Sequence, residues 1–141
     1  MPVIYLSPST QENNLYVNGG TEEQWMNRLA DAMVPYLDAS GIQYVRNTPD
    51  MTAASSIAAS NAGRYDLHLA LHSNAAPEGS YGQARGILVF YYPTSSSGRR
   101  AARIMADNLK TIYPLPNKVR AEGTTSVGEV RRTKAPAVFL E

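Results

Sequence analysis

Five short apolar runs punctuate the chain, the first four followed by polar or turn-forming residues. Val3 to Leu6 is followed by Ser7-Pro8-Ser9 and reads as a buried strand leading into a loop. Ile42 to Val45 predicts a second strand. Asp66 to His72 is apolar enough for a strand buried on both faces. Gly86 to Tyr92 and Ala137 to Glu141 predict two more. Between them the period changes to a helical one. Thr21-Glu22-Glu23-Gln24 has the form of a capping box. Behind it Trp25, Leu29 and Met33, with Met26, Ala30 and Leu37, recur at helical spacing and predict one apolar face. Pro35 predicts a kink in this helix and Gly41 its end. An Ala/Ser-rich stretch, Thr52 to Ala62, predicts a modest helix closed by Gly63. Ala101, Ile104, Met105, Leu109 and Ile112 predict a third helix ended by Pro114, with Thr94 or Ser97 as its cap. Strands alternating with helices predict an α/β fold: a single three-layer domain over residues 1–141, its mostly parallel central sheet flanked by helices.

Composition adds mainly exclusions. The 141 residues are enough for one buried core. A net charge of +1 gives no bulk electrostatic case for nucleic acid, and the arginine groups at 99–103 and 131–132 are short. With no cysteine, disulfides and thiolate metal sites are excluded. No apolar run approaches the roughly 20 residues of a membrane-spanning helix, so no membrane insertion is expected. The first residues do not form a signal peptide.

The chemistry-bearing residues cluster at strand ends, where ligands bind in open α/β sheets. Ser7 to Gln11 follow the first strand, His72 ends the third, and Glu141 ends the last. Glu23 lies in the first turn of the first helix, on the same edge. One histidine and two carboxylates can therefore converge from distant parts of the chain. His68 shares a strand face with His72, but about 3.3 Å per residue separates the two by roughly 13 Å. They cannot bind one ion together, and His68 reads as a core histidine satisfied by a hydrogen bond.

Several ordered motifs carry a resemblance to a known family. Residues 65–75 (YDLHLALHSNA) resemble the strand "ADLFISIHANA" of the zinc-dependent N-acetylmuramoyl-L-alanine amidases. Arg46 to Asp50 resembles that family's "TR..D", and Ser60-Asn61-Ala62 the "AN" of its small helix. Arg85-Gly86 with the following strand resembles "GxExYY". Residues 130–141 (VRRTKAPAVFLE) resemble "VLRNTKMPAVLVE".

The resemblance implies hydrolysis of the amide between N-acetylmuramic acid and L-alanine in peptidoglycan, outside the membrane, at the cell wall or spore. It implies one zinc ion, with Glu23 and His72 as ligands and Thr10 at the third ligand position, and Glu141 and Arg131 as catalytic residues. Thr10 stands where the family's first-loop "DPGHGG" has a ligand histidine. A neutral hydroxyl is a poor zinc ligand, and Glu12 and Gln11 are alternative donors in that loop. The family usually continues past the catalytic glutamate, so a C-terminal helix is expected to be missing from this chain. A metal-free module that binds peptidoglycan or muropeptide, and a different amidase or peptidase on the same scaffold, are the competing readings.

Overall fold

A computed structural model of the chain describes residues 1–16, 19–73 and 85–141. Among the described residues, six strands form one sheet in the order β2-β1-β3-β6-β4-β5. The strands are β1 (Val3–Pro8), β2 (Gln43–Arg46), β3 (Leu67–Leu71), β4 (Ile87–Tyr91), β5 (Val119–Gly123) and β6 (Ala137–Leu140). The helices are α1 (Glu22–Ala39), α2 (Ala53–Ala62), α3 (Ser96–Leu109) and the short α4 (Gly128–Arg131). Every pairing is parallel except β4 with β6, so two parallel halves meet head to tail. That reversal puts the starts of β4 and β5 on the same edge as the ends of β1, β3 and β6. The expected α/β fold with a mostly parallel sheet between helices is what the chain adopts.

Alternation along the strands sorts the two faces. Leu69 and Leu71 of β3 point with Ile4, Leu6, Val89 and Val138 into the larger core, closed by Ala30 of α1 and Ala102 and Ala106 of α3. The opposite face carries His68 and Ala70, and packs Ala70, Ala137 and Phe139 against Val130 of α4.

The capping box of α1 forms as expected, Thr21 and Gln24 exchanging side-chain and backbone bonds. The helix then runs through Pro35 as one element. Its buried stripe is centred on Ala30 with Met26, Met33 and Leu37, leaving Trp25 and Leu29 at the exposed margin. Trp25 is covered there by Tyr16 on one side and the Arg28 guanidinium 4.7 Å above its ring. On α3 the phase is offset in the same way: Ala102 and Ala106 are buried, Ile104 is exposed, and Ser95 is the cap. β5 and α4 are elements that the hydrophobic pattern does not show. β5 is an edge strand in which the charged Arg120 and Glu122 alternate with Val119 and Ala121, so its apolar signal is weak.

Candidate active site at the carboxyl edge of the sheet

Three parallel neighbours, β1, β3 and β6, end together. The register pairs Ala70 with Phe139 and Leu71 with Leu140, so continuing it sets His72 beside Glu141. The His72 amide donates to the Leu140 carbonyl at 2.8 Å. Glu141 is held by two backbone bonds of 2.8 Å with Leu88. The Phe139 ring stacks on the His72 imidazole at 4.1 Å. Next to them lies a cavity of about 800 Å³, whose wall includes Thr10, Glu12, Glu22, His72, Ser73 and Glu141.

The helical carboxylate in this cavity is Glu22. It is the first residue of α1, where the helix N-terminus favours negative charge. One oxygen accepts from His72 Nδ1 at 3.0 Å and from the Ser73 amide at 3.1 Å, while Asn14 donates to the other. Glu23 sits about 100° further round the helix and is turned away. Its carboxylate and carbonyl accept from Asn27, which in turn meets Arg46. Glu23 thus belongs to a network tying α1 to β2, and Glu22 takes the place beside His72 expected of it. Thr10 lines the cavity as expected. Arg131 does not; it is exposed on α4 and donates to the Thr125 carbonyl. Asn74 and Ala75, part of the motif around His72, lie outside the described residues.

Behind His72 is a residue that motif spacing does not single out. Glu129 is 4% exposed and joins the two histidines. Its Oε2 accepts from His72 Nε2 at 2.9 Å, and its Oε1 accepts from His68 Nε2 at 3.0 Å and from the Ser7 hydroxyl at 2.6 Å. His68 completes its bonding with Ser60 at 3.0 Å and stacks on Tyr5. It is the hydrogen-bonded core histidine that its strand position predicts. Asn47 extends the polar layer by donating to Ser7, the Pro8 carbonyl and Ser56. Among the described residues, every buried side-chain polar atom has a partner. The one sequence signal for Glu129 is an acidic residue on an otherwise apolar turn, Val127 to Val130.

His72 thus lies between two carboxylates, which can only accept, so both ring nitrogens carry hydrogen in this arrangement. Burial opposes that charge, but the bonds to Glu129 and Glu22 outweigh it and push His72 up to about 9. Glu129 is likewise penalised by burial, yet its bonds to His68 and His72 hold it down to about 2. Glu22 is shifted down as well: burial works against it, and the bonds from His72, Asn14 and Ser73 prevail.

The stability consequence has a definite sign. The His72 contribution is complete below its ordinary value of 6.5 and is lost as pH rises through about 9. The Glu129 contribution is complete above 4.5 and is lost as pH falls through about 2. The difference in thermal midpoint between the native chain and His72→Gln should therefore be largest between pH 4.5 and 6.5 and shrink on either side. A difference that stays constant from pH 5 to 10 would contradict the assignment of charge to His72.

Among the described residues no three His, Cys, Asp or Glu side chains converge as a metal-binding group, but two such donors, Glu22 and His72, meet. A histidine that ligates a metal typically gives its other ring nitrogen to a carboxylate, which fixes its orientation. His72 does this with Nε2 on Glu129 and turns Nδ1 toward Glu22. A cation replacing the Nδ1 proton would meet one nitrogen and one carboxylate oxygen. Thr10 offers only a hydroxyl, whereas Glu12, on the same cavity wall, offers a carboxylate.

The profile of the N-acetylmuramoyl-L-alanine amidases matches residues 9–141. The chain belongs to that family. Its fold is shared with an N-acetylmuramoyl-L-alanine amidase of Nostoc punctiforme, at 14% identity and TM-score 0.79, over 99% of this chain and 78% of that one. An amidase from Clostridium difficile 630 is similar at 17% identity and TM-score 0.82, again over 99% and 78%. The catalytic domain of an endolysin targeting Clostridia difficile reaches 21% identity and TM-score 0.77, over 100% and 80%. No curated protein sequence matches the chain. No described helix of this amidase-family chain is long and apolar enough to cross a membrane.

Proposed function

We propose that this amidase-family chain hydrolyses the amide between N-acetylmuramic acid and L-alanine in peptidoglycan, at the cell wall or spore, with one zinc ion. The observation that carries this reading is the meeting of Glu22, His72 and Glu141 on one cavity at the carboxyl edge of the sheet. Glu22 and His72 would hold the ion, and Glu12, in the same loop as Thr10 and on the same cavity wall, would supply the donor that Thr10 lacks. Zinc, when bound, polarises the amide carbonyl and lowers the pKa of a bound water.

The remaining work falls to the chain itself. Burial pushes the Glu141 carboxyl up; the His72 charge pulls it down and the Glu22 charge adds to the rise. A carboxyl group closer to neutrality both accepts and returns a proton more readily. Glu141 would therefore take the proton of the attacking water and deliver it to the leaving amine of L-alanine. Its backbone bonds to Leu88 fix the main chain from which the carboxylate projects, next to His72 at the end of the neighbouring strand. Glu129 holds the imidazole ring in plane and keeps the Nε2 proton in place.

A second reading, a non-catalytic module that binds muropeptide, is favoured by two observations. Thr10 stands where the resemblance expects a ligand histidine, and His72 is already bracketed by two carboxylates. Elemental analysis after zinc loading, followed by assay of amines released from intact peptidoglycan, separates the readings. Near-stoichiometric zinc with new L-alanine amino termini is the expected result. A zinc-free protein that binds muropeptide without cleaving it would establish the module instead, and release of any other amine would point to a different amidase or peptidase.

A further inference from the structure

A second groove, about 510 Å³, opens on the other side of the same residues. It shares His72, Ser73 and Glu141 with the first cavity and is otherwise lined from the starts of β4 and β5, including Arg85, Lys118 and Arg120. The two arms that meet at Glu141 therefore differ in charge. Glu12, Glu22 and Asp50 line one; Arg85, Lys118 and Arg120 line the other.

The basic arm is held in place by its backbone. Gly86 sits at φ +125°, and a Cβ there would lie 2.5 Å from the Lys118 carbonyl oxygen, so only glycine permits this close approach. The Gly86 amide donates to the Tyr113 hydroxyl at 2.9 Å. The parallel ladder then pairs Ile87 with Val119 and Leu88 with Arg120, while Leu88 also bonds Glu141. Lys118 and Arg120 thus flank the strand that fixes Glu141. Arg120 meets Glu122 at 3.7 Å in an exposed pair, a contact that typically contributes little and yields to a better partner.

We propose that Lys118 and Arg120, with Arg85 beside them, form a subsite for a carboxylate on the peptide arm of the substrate, one or two residues beyond L-alanine. This rests on the peptidoglycan reading above and adds an orientation to it. The stem peptide lies in the basic arm, and the muramoyl side lies toward the acidic one. A guanidinium and an ammonium on this arm suit a carboxylate through charge-assisted hydrogen bonds, whereas the described lining of the other arm holds no lysine or arginine. Reversed binding would set the stem carboxylates near Asp50 and away from the basic side chains, so the charge difference selects one direction.

The test compares N-acetylmuramoyl-L-alanyl-D-glutamate with its uncharged diamide, titrated calorimetrically against the chain carrying Glu141→Gln to prevent cleavage. The acid should bind about tenfold tighter than the diamide. Adding Lys118→Gln and Arg120→Gln should remove that preference while leaving the diamide affinity unchanged. Both side chains are exposed, so circular dichroism should show an unaltered fold. Equal affinity for acid and diamide, or a preference that survives both substitutions, would overturn the subsite while leaving the muropeptide reading intact. Failure to bind either probe would overturn the muropeptide reading and the subsite together.

Discussion

Replacing Glu129 with leucine should lower the unfolding free energy by about 3–5 kcal/mol, the usual cost of removing one member of a buried ion pair. Three donors lose their acceptor at once: the Ser7 hydroxyl, His68 Nε2 and His72 Nε2. Two of them cannot turn to water, since His68 is fully buried and Ser7 nearly so, while His72 keeps a partly exposed edge on the cavity. Leucine fills much of the volume but offers no lone pair, and an unpaired buried donor carries its full desolvation cost. Glu129→Gln should be milder and differently expressed. Its amide oxygen can still accept from His68 and Ser7, while its NH₂ faces His72 Nε2 and favours the tautomer with hydrogen on Nδ1. That hydrogen points at Glu22 and competes with a cation there, so zinc occupancy should fall more than stability. Urea denaturation with parallel metal analysis measures both effects; a Leu variant as stable as the native chain would show that Glu129 does not hold the two histidines.

Glu141→Gln should reduce the rate of amine release from peptidoglycan by about 10²–10⁴-fold, the range lost when a positioned general acid–base group is removed. Glutamine preserves the shape, and residue 141 keeps its backbone bonds to Leu88, so the cavity wall should stay in place. Zinc content and muropeptide affinity should change little, because Glu22 and His72 retain their own partners. Rate, metal content and affinity must be measured on the same preparation. A variant that keeps zinc and full activity would remove Glu141 from the proton path; one that loses zinc would make it a ligand instead.

Much of the architecture is written in the chain's hydrophobic period. Apolar runs at 3–6, 67–71, 87–91 and 137–140 become strands because a central sheet needs side chains that bury on both faces. The Thr21 capping box marks the start of α1 for a local reason, the pairing of its own first-turn groups. Edge strand β5 and the one-turn helix α4 are invisible in that pattern. The first faces solvent with its charged residues, and the second is too short to show a period.

The site divides in the same way. His72, Thr10 and Glu141 lie on one cavity because each follows a strand, and strand ends converge on one edge of a mostly parallel sheet whatever the details of packing. Position along the sequence was therefore enough to gather them. The choice between Glu22 and Glu23 was not settled locally, since neighbouring helical residues differ by about 100° and only the seating of α1 on the sheet fixes which one faces inward. Glu129 belongs to the same class of fact. His68 and His72 are too far apart to share an ion, yet the two oxygens of one carboxylate reach both, because α4 docks over β3. The basic groove likewise depends on β4 running against β6, which turns the starts of two strands toward a site made from the ends of three others. Local propensity and strand order come from the chain one segment at a time, whereas helix phase, strand direction and buried charge pairing exist only once the layers have packed.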